Sequence, residues 1–240
     1  MTQDQTRTYT RDQSITFRKT AEAFGGLSNM APGYQLRVNG IRILTSEALY
    51  QACRFPHLPE VQRMILNEYS PMTAKMKSKP FRSDSRADWN WVRVKIMRWC
   101  LRVKLAQHWQ NFGNLLLSTG NKPIVEESRK DDFWGAKIRD DQTLVGRNAL
   151  GRLLMELREE LKLDANETLR FVEPLAIPDF LLMERLIEPV DFNSEKSSSV
   201  LFDKTIQEPA PSTEEQPTLF EQPVLFPRVP KRPPVHRGAK

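Results

Sequence analysis

The chain has 240 residues, 28% of them charged, and a formal net charge of +6. Two cysteines, Cys53 and Cys100, cannot build a disulfide framework or a four-cysteine zinc site, and His57, His108 and His236 fall in no metal-ligand spacing, so no metal or cofactor is expected. With polar first thirty residues no secretory leader is expected, and no run reaches the ~18 apolar residues of a membrane span, so a cytoplasmic protein with no membrane partner is expected.

In chain order, residues 1–14 are polar and are expected to be a flexible N-terminus. Ile15 to Leu44 read as short strands and turns. The turn signals are Gly25-Gly26, Ala31-Pro32-Gly33 and Asn39-Gly40. The last pair sits between Leu36, Val38, Ile41 and Ile43, the pattern of a tight β-hairpin. Thr45 or Ser46 then caps a helix through Glu47 to Phe55 that stops before Pro56. A shorter helix is predicted over Pro59 to Asn67.

Ala74 to Arg86 alternates small residues with Lys75, Lys77, Lys79, Arg82 and Arg86. It reads as a solvated loop or as a phosphate-facing rim. From Asp88 to Gln110 the spacing of Trp89, Val92, Ile96, Trp99, Val103 and Ala106 predicts one buried helical stripe. A short helix ends at Gly120. Another runs from Asn148 to Leu163, with Leu150, Leu153, Leu154, Leu157 and Leu161 on one face.

Residues 164–192 keep apolar content but carry three prolines, and are expected to pack on the domain as an extension. Residues 193–240 hold eight prolines, several serines and segregated charge, a disordered-tail composition. Charge divides along the same line: residues 164–240 carry a net −4 and residues 1–163 a net +10. The basic part favours polyanionic partners such as nucleic acid or phosphorylated ligands.

Few residues stand out chemically. Glu47 opens a helix, where a carboxylate is stabilised by unpaired N–H groups. It reads equally as a capping-turn residue. The stretch from Glu126 to Gly135 gathers Glu126, Glu127, Asp131 and Asp132 beside Phe133, Trp134 and Gly135, and reads as an acidic loop. An aromatic followed by glycine suits a stacked flat ligand, and acids there suit ribose hydroxyls or proton transfer. It reads also as an exposed loop anchored by a tryptophan. Gly146-Arg147-Asn148 opens a helix, a natural anion-binding end.

Together these residues resemble the NADAR family, also called YbiA-like, over about residues 15–162. The resemblance rests on Gly26-Leu27-Ser28-Asn29 with Ala31-Pro32; on Thr45-Ser46-Glu47 with Tyr50-Gln51-Ala52; on Arg86, Asp88-Trp89 and Lys104; and on Glu126, Asp131, Phe133-Trp134-Gly135, Gly146, Asn148 and Gly151. It implies a single compact α+β domain, mostly helical, with a small N-terminal β-hairpin region. It implies an N-glycosidase that hydrolyses a ribosyl C1–N bond. One branch of the family acts on phosphorylated intermediates of riboflavin synthesis. Another removes ADP-ribose from guanine, as an antitoxin to a DNA ADP-ribosyltransferase toxin. One departure is the stretch from Ala136 to Val145, which is charged and lacks glycine; Lys137 and Arg139 there are positioned in sequence to meet a diphosphate or a DNA backbone.

From the resemblance, Glu47 is the principal catalytic carboxylate and Asp131 the second. Lys104 is a third candidate, as a Schiff-base nucleophile or simply a helix-surface lysine. Ser28, Asn29, Gln51, Trp89, Glu126, Trp134, Gly135 and Asn148 are the expected substrate-binding set. The expected substrate is ADP-ribosylated DNA or nucleotide, the toxin a candidate partner, and a non-catalytic ADP-ribose or nucleic-acid binder the different-class alternative. In the tail, Gln216–Phe220 and Gln222–Phe226 both read Gln-x-x-Leu-Phe, similar to the peptide that docks on bacterial sliding clamps. Leu-Phe pairs also arise by chance in such a tail, as Leu201-Phe202 shows.

Overall fold

The computed structural model describes residues 6–191. Five strands form one mixed sheet: β1 (Arg7–Thr10), β2 (Ile15–Phe17), β5 (Ile124–Ser128), β6 (Ala136–Ile138) and β7 (Thr143–Gly146). Their order is β1-β7-β6-β5-β2. β5 runs parallel to both β2 and β6, while β7 is antiparallel to β6 and β1. The hairpin β3 (Leu36–Val38) and β4 (Ile41–Ile43) stands apart, turning at Asn39 (φ 51°) and Gly40 (φ 75°). Both turn residues occupy the left-handed region, the requirement that makes an Asn-Gly pair so good a hairpin signal.

The described residues hold six α-helices, α1 (Ser46–Ala52), α2 (Pro59–Leu66), α3 (Pro71–Ser78), α4 (Trp89–Gln107), α5 (Trp109–Leu117) and α6 (Ala149–Leu163), of which α6 packs on the sheet. The Thr45 hydroxyl accepts from the Ala48 N–H and caps α1. α4 is the central helix, and Trp89, Val92, Ile96, Trp99, Val103 and Ala106 are all buried, the stripe its spacing predicts. α6 lies tight against β5. A Cβ on Gly151 would come within 2.1 Å of the Ile124 carbonyl, so only glycine allows that approach.

Three elements differ from expectation. Within the N-terminus expected to be flexible, Arg7–Thr10 form β1, because Tyr9 buries against Val125, Ala136 and Leu144 and the strand pairs with β7. The basic segment after Ala74 is helix α3 followed by the 3-10 turn Lys79–Asp84, not a loop; Ser70 caps α3 ahead of Pro71. Glu126 and Glu127 lie in β5, not in a loop.

Residues after α6 are held by three side chains of the preceding domain. The Trp99 indole N–H donates to the Glu173 carbonyl at 2.9 Å, and the ring meets Phe180 edge-on. Arg86, paired with Asp88, donates to the Pro178 carbonyl at 2.6 Å. Gln62 holds the backbone of Leu181 and Met183. The Leu-Phe motifs at Gln216–Phe220 and Gln222–Phe226 lie outside the described residues. No described helix is long and apolar enough to cross a membrane.

Candidate active site

One open cleft of about 630 Å³ lies between α1, α4, the end of β5 and the loop that follows it. Each wall follows from local structure. Glu47, Tyr50 and Gln51 stand three and four residues apart on α1 and face it together. Trp89, Arg93 and Met97 recur every four residues on α4 and form the opposite wall. Glu126 comes from β5, and Asp131, Phe133 and Trp134 from the loop before β6.

Glu47 is almost fully buried and fully partnered. Its Oε2 accepts from the Asn29 amide at 2.5 Å and its Oε1 from the Gln51 amide at 3.0 Å. The Lys75 ammonium stands 3.8 Å from Oε1. Gln51 is itself held, its carbonyl oxygen accepting from the Ser78 hydroxyl on α3. These donors aim a carboxylate into the cleft and fix its direction.

Glu126 behaves differently. Burial, with the charges of Glu47 and Asp131 adding to it, pushes its carboxyl up to about 7. The cleft thus holds a carboxyl that keeps its proton near neutrality alongside a carboxylate surrounded by donors. Asp131 Oδ1 accepts the backbone N–H groups of Phe133 and Trp134, both at 2.9 Å, and so shapes the loop carrying Trp134. Tyr50 joins the aromatic walls, meeting Trp89 at 5.0 Å and Trp134 at 5.5 Å between ring centres.

The expected residues divide. Asn29, Glu47, Gln51, Trp89, Glu126, Asp131 and Trp134 all line the cleft. Lys104, Ser28, Gly135 and Asn148 do not, and each supports those that do. Lys104 is fully buried; its Nζ donates to the carbonyls of Gly26 at 2.6 Å and Ser28 at 3.0 Å and lies over the rings of Tyr34 and Phe112. Burial pulls its ammonium well below the usual lysine range. Asn148 caps α6 in the left-handed region at φ 50°; its Nδ2 donates to the Ile124 carbonyl and its Oδ1 accepts from the Glu126 N–H. The helix start expected to bind an anion therefore holds β5 instead. The Gly135 backbone packs on β5: a Cβ there would come within 2.4 Å of the Glu126 carbonyl. Lys137 and Arg139 lie in or beside the β6–β7 hairpin outside the cleft, and Lys137 pairs with Asp132 at 2.5 Å.

Arg54 and Arg93 also line the cleft, beyond the residues named from the sequence, and Tyr50, named only as part of the resemblance, joins them. Helical spacing from Glu47 and from Trp89 carries Tyr50 and Arg93 to the same faces, so that signal was present. Among the described residues no group of three or more His, Cys, Asp and Glu side chains is arranged to hold a metal ion.

The α+β fold thus brings Glu47 and Glu126 into one basic, aromatic-walled cleft. The chain belongs to the NADAR domain family, whose match covers residues 16–162. The protein "N-glycosidase YbiA" of Escherichia coli is 34% identical over 157 residues, covering 64% of this chain and 92% of YbiA. The solved NMR structure of E. coli YbiA superposes with a TM-score of 0.56 at 33% identity, covering 66% of this chain and 94% of that one. A "riboflavin biosynthesis protein" of Vibrio vulnificus is 34% identical over 168 residues, and the match spans 70% of this chain but only 44% of that protein. Family membership sets the chain among the N-glycosidases, hydrolases of N-glycosyl bonds.

Proposed function

We propose that the chain hydrolyses the ribosyl C1–N bond of ADP-ribosylated guanine in DNA, as the antitoxin to a DNA ADP-ribosyltransferase toxin. The observation that carries the chemistry is the pairing of Glu126, raised to about 7, with the donor-held carboxylate of Glu47 in one cleft. In this mechanism Glu126 gives its proton to the leaving nitrogen as the C1–N electron pair moves onto it. Glu47 faces the positive charge developing at C1 and takes a proton from the attacking water, whose oxygen bonds to C1. Asp131 holds the loop that brings Trp134 against the base or ribose. The two carboxyl groups then exchange the proton back through solvent.

Support for a polyanionic substrate comes from charge. Arg18, Arg54, Lys75, Arg82, Arg93 and Arg129 line the cleft, and residues 1–163 carry a net +10. A second reading, a phosphorylated intermediate of riboflavin synthesis, draws on the name of the Vibrio relative.

The deciding experiment incubates the purified chain with an oligonucleotide bearing ADP-ribosyl guanine and follows release of free ADP-ribose. Release that weakens steeply as salt rises is expected, because several phosphate contacts are involved. Cleavage of the riboflavin intermediate with none of the modified DNA would favour the second reading. Tight binding of modified DNA without release would mark a non-catalytic binder.

A further inference from the structure

Three guanidinium groups line the same cleft, and the charges of Arg82 and Arg93 both act on Arg54. Arg54 follows the end of α1, Arg82 comes from the 3-10 turn Lys79–Asp84, and Arg93 from α4. Arg54 lies 5.0 Å over the Trp89 ring and donates through Nε to the Ser85 hydroxyl at 2.6 Å. Arg93 lies 3.8 Å over the Phe133 ring. Stacking on aromatic faces fixes the planes of two guanidiniums while leaving their N–H edges for a ligand.

Among the described residues none of the three has a carboxylate ion-pair partner. This contrasts with Arg98 and Arg102 on the same helix, which pair with Glu156 and Glu160. Arg93 Nε is buried and has no hydrogen-bond partner. Burial, with Arg82 and Arg93 adding to it, pulls Arg54 below the usual guanidinium range. Like charges gathered in a half-enclosed site raise its energy until an anion enters.

We propose that Arg54, Arg82 and Arg93 form a diphosphate subsite that selects N-glycosides carrying two linked phosphates over those carrying one. The charge and the fork geometry argue for it. Three planar donors from three elements offer more N–H groups than one phosphate accepts, whereas a diphosphate presents its oxygens on two adjoining tetrahedra. Glu47 and Glu126 line the same cleft, so a diphosphate held by the arginines leaves the glycosidic bond to the two carboxyl groups. The inference rests on the cleft being the N-glycosidase site and specifies which branch of substrates it takes.

Calorimetric titration of the full chain with inorganic pyrophosphate, orthophosphate, ADP-ribose and an unmodified oligonucleotide tests the subsite without requiring turnover. Pyrophosphate and ADP-ribose are expected to compete for one site and to bind about tenfold or more tightly than orthophosphate. Arg93→Met should weaken both by about tenfold or more, the scale of lost charge-assisted hydrogen bonds. Arg93→Lys should recover only part of this, since an ammonium lacks the fork. Arg152→Met, an exposed change on α6, should change nothing. If Arg93→Met does not fold, Arg82→Met, an exposed side chain, carries the same expectation.

Pyrophosphate binding no tighter than orthophosphate would overturn the proposal. So would unchanged affinity in the arginine variants. Displacement of pyrophosphate by unmodified oligonucleotide as readily as by ADP-ribose would reassign the arginines to a nucleic-acid backbone and overturn it as well. An active N-glycosidase with no preference for pyrophosphate would sink this inference alone. Tight pyrophosphate binding by a chain that cleaves no glycoside would sink the hydrolase reading alone.

Discussion

Asn29 and Glu47 are joined in both directions. The Asn29 side-chain amide donates to Glu47 Oε2 at 2.5 Å, and the Glu47 backbone N–H donates to the Asn29 carbonyl at 2.9 Å. A loop residue and the first turn of α1 are thereby locked as a unit, and the carboxylate cannot rotate without breaking the lock. Glu47→Gln is expected to keep the fold and lose turnover by ~10²-fold or more. Asn29→Asp should replace the donor to Glu47 Oε2 with a second carboxylate, break the lock and lower turnover, while Asn29→Ala keeps the like-charge effect out of the comparison. Wild-type rates for Glu47→Gln, with melting unchanged, would remove it from the mechanism.

Glu126 makes the pH dependence specific. Acting as the proton donor, it should let activity fall as pH rises through about 7. Glu126→Gln should abolish that limb along with most of the rate. Stability offers an independent reading of the same group. Its carboxyl is raised in the folded chain, so its contribution is fully present below the ordinary carboxylate range and is lost as pH rises through about 7. Glu126→Gln should therefore melt higher than the wild type at pH 8, by about 3 °C or more, and no higher at pH 4. Equal melting at pH 8 would show that the carboxyl is not raised.

Lys104 acts from beneath the site. Its two carbonyl contacts hold the Gly26–Ser28 turn immediately before Asn29. Borohydride added during turnover should leave no adduct on Lys104, and mass spectrometry of the peptide decides it. Lys104→Ala strips two buried carbonyls of their donor and empties volume between Tyr34 and Phe112. A loss of about 3 kcal/mol or more in denaturant unfolding is expected. A trapped adduct would restore the covalent route.

Gly135→Ala should damage the site through its geometry. The added methyl would meet the Glu126 carbonyl, the backbone of the proton donor itself. Loss of activity together with a lowered melting temperature is expected. An alanine variant with wild-type rate and melting would show that β5 can move away at no cost.

Local signals carried much of this structure. Asn39-Gly40, the Thr45 cap and the apolar stripes of α4 and α6 each state a backbone preference that tertiary packing left intact. Glu47 and its cleft partners were legible because ordered motifs accompany them. What escaped was long-range. Lys104 and Asn148 look like a surface lysine and a helix opening, yet their burial depends on contacts 76 and 24 residues away. The strand character of Glu126 and of Arg7–Thr10 depends on sheet partners that no local pattern names. α3 was hidden because its charged residues suit solvent, and only Ser70 and Pro71 mark its start.

The clasp formed by Trp99, Arg86 and Gln62 on residues 173–183 decides where the chain can be cut. Those three grips lie in the family domain, while what they hold lies beyond residue 162. A chain cut at Leu163 would leave Phe180, Leu182 and Ile187 missing from the core and an indole and a guanidinium facing unfilled space. Arg86 also receives its backbone position from the Arg54 carbonyl, so the loss would reach the cleft rim. The unit that folds here is thus longer than the family domain, and residues beyond that domain form part of its interior.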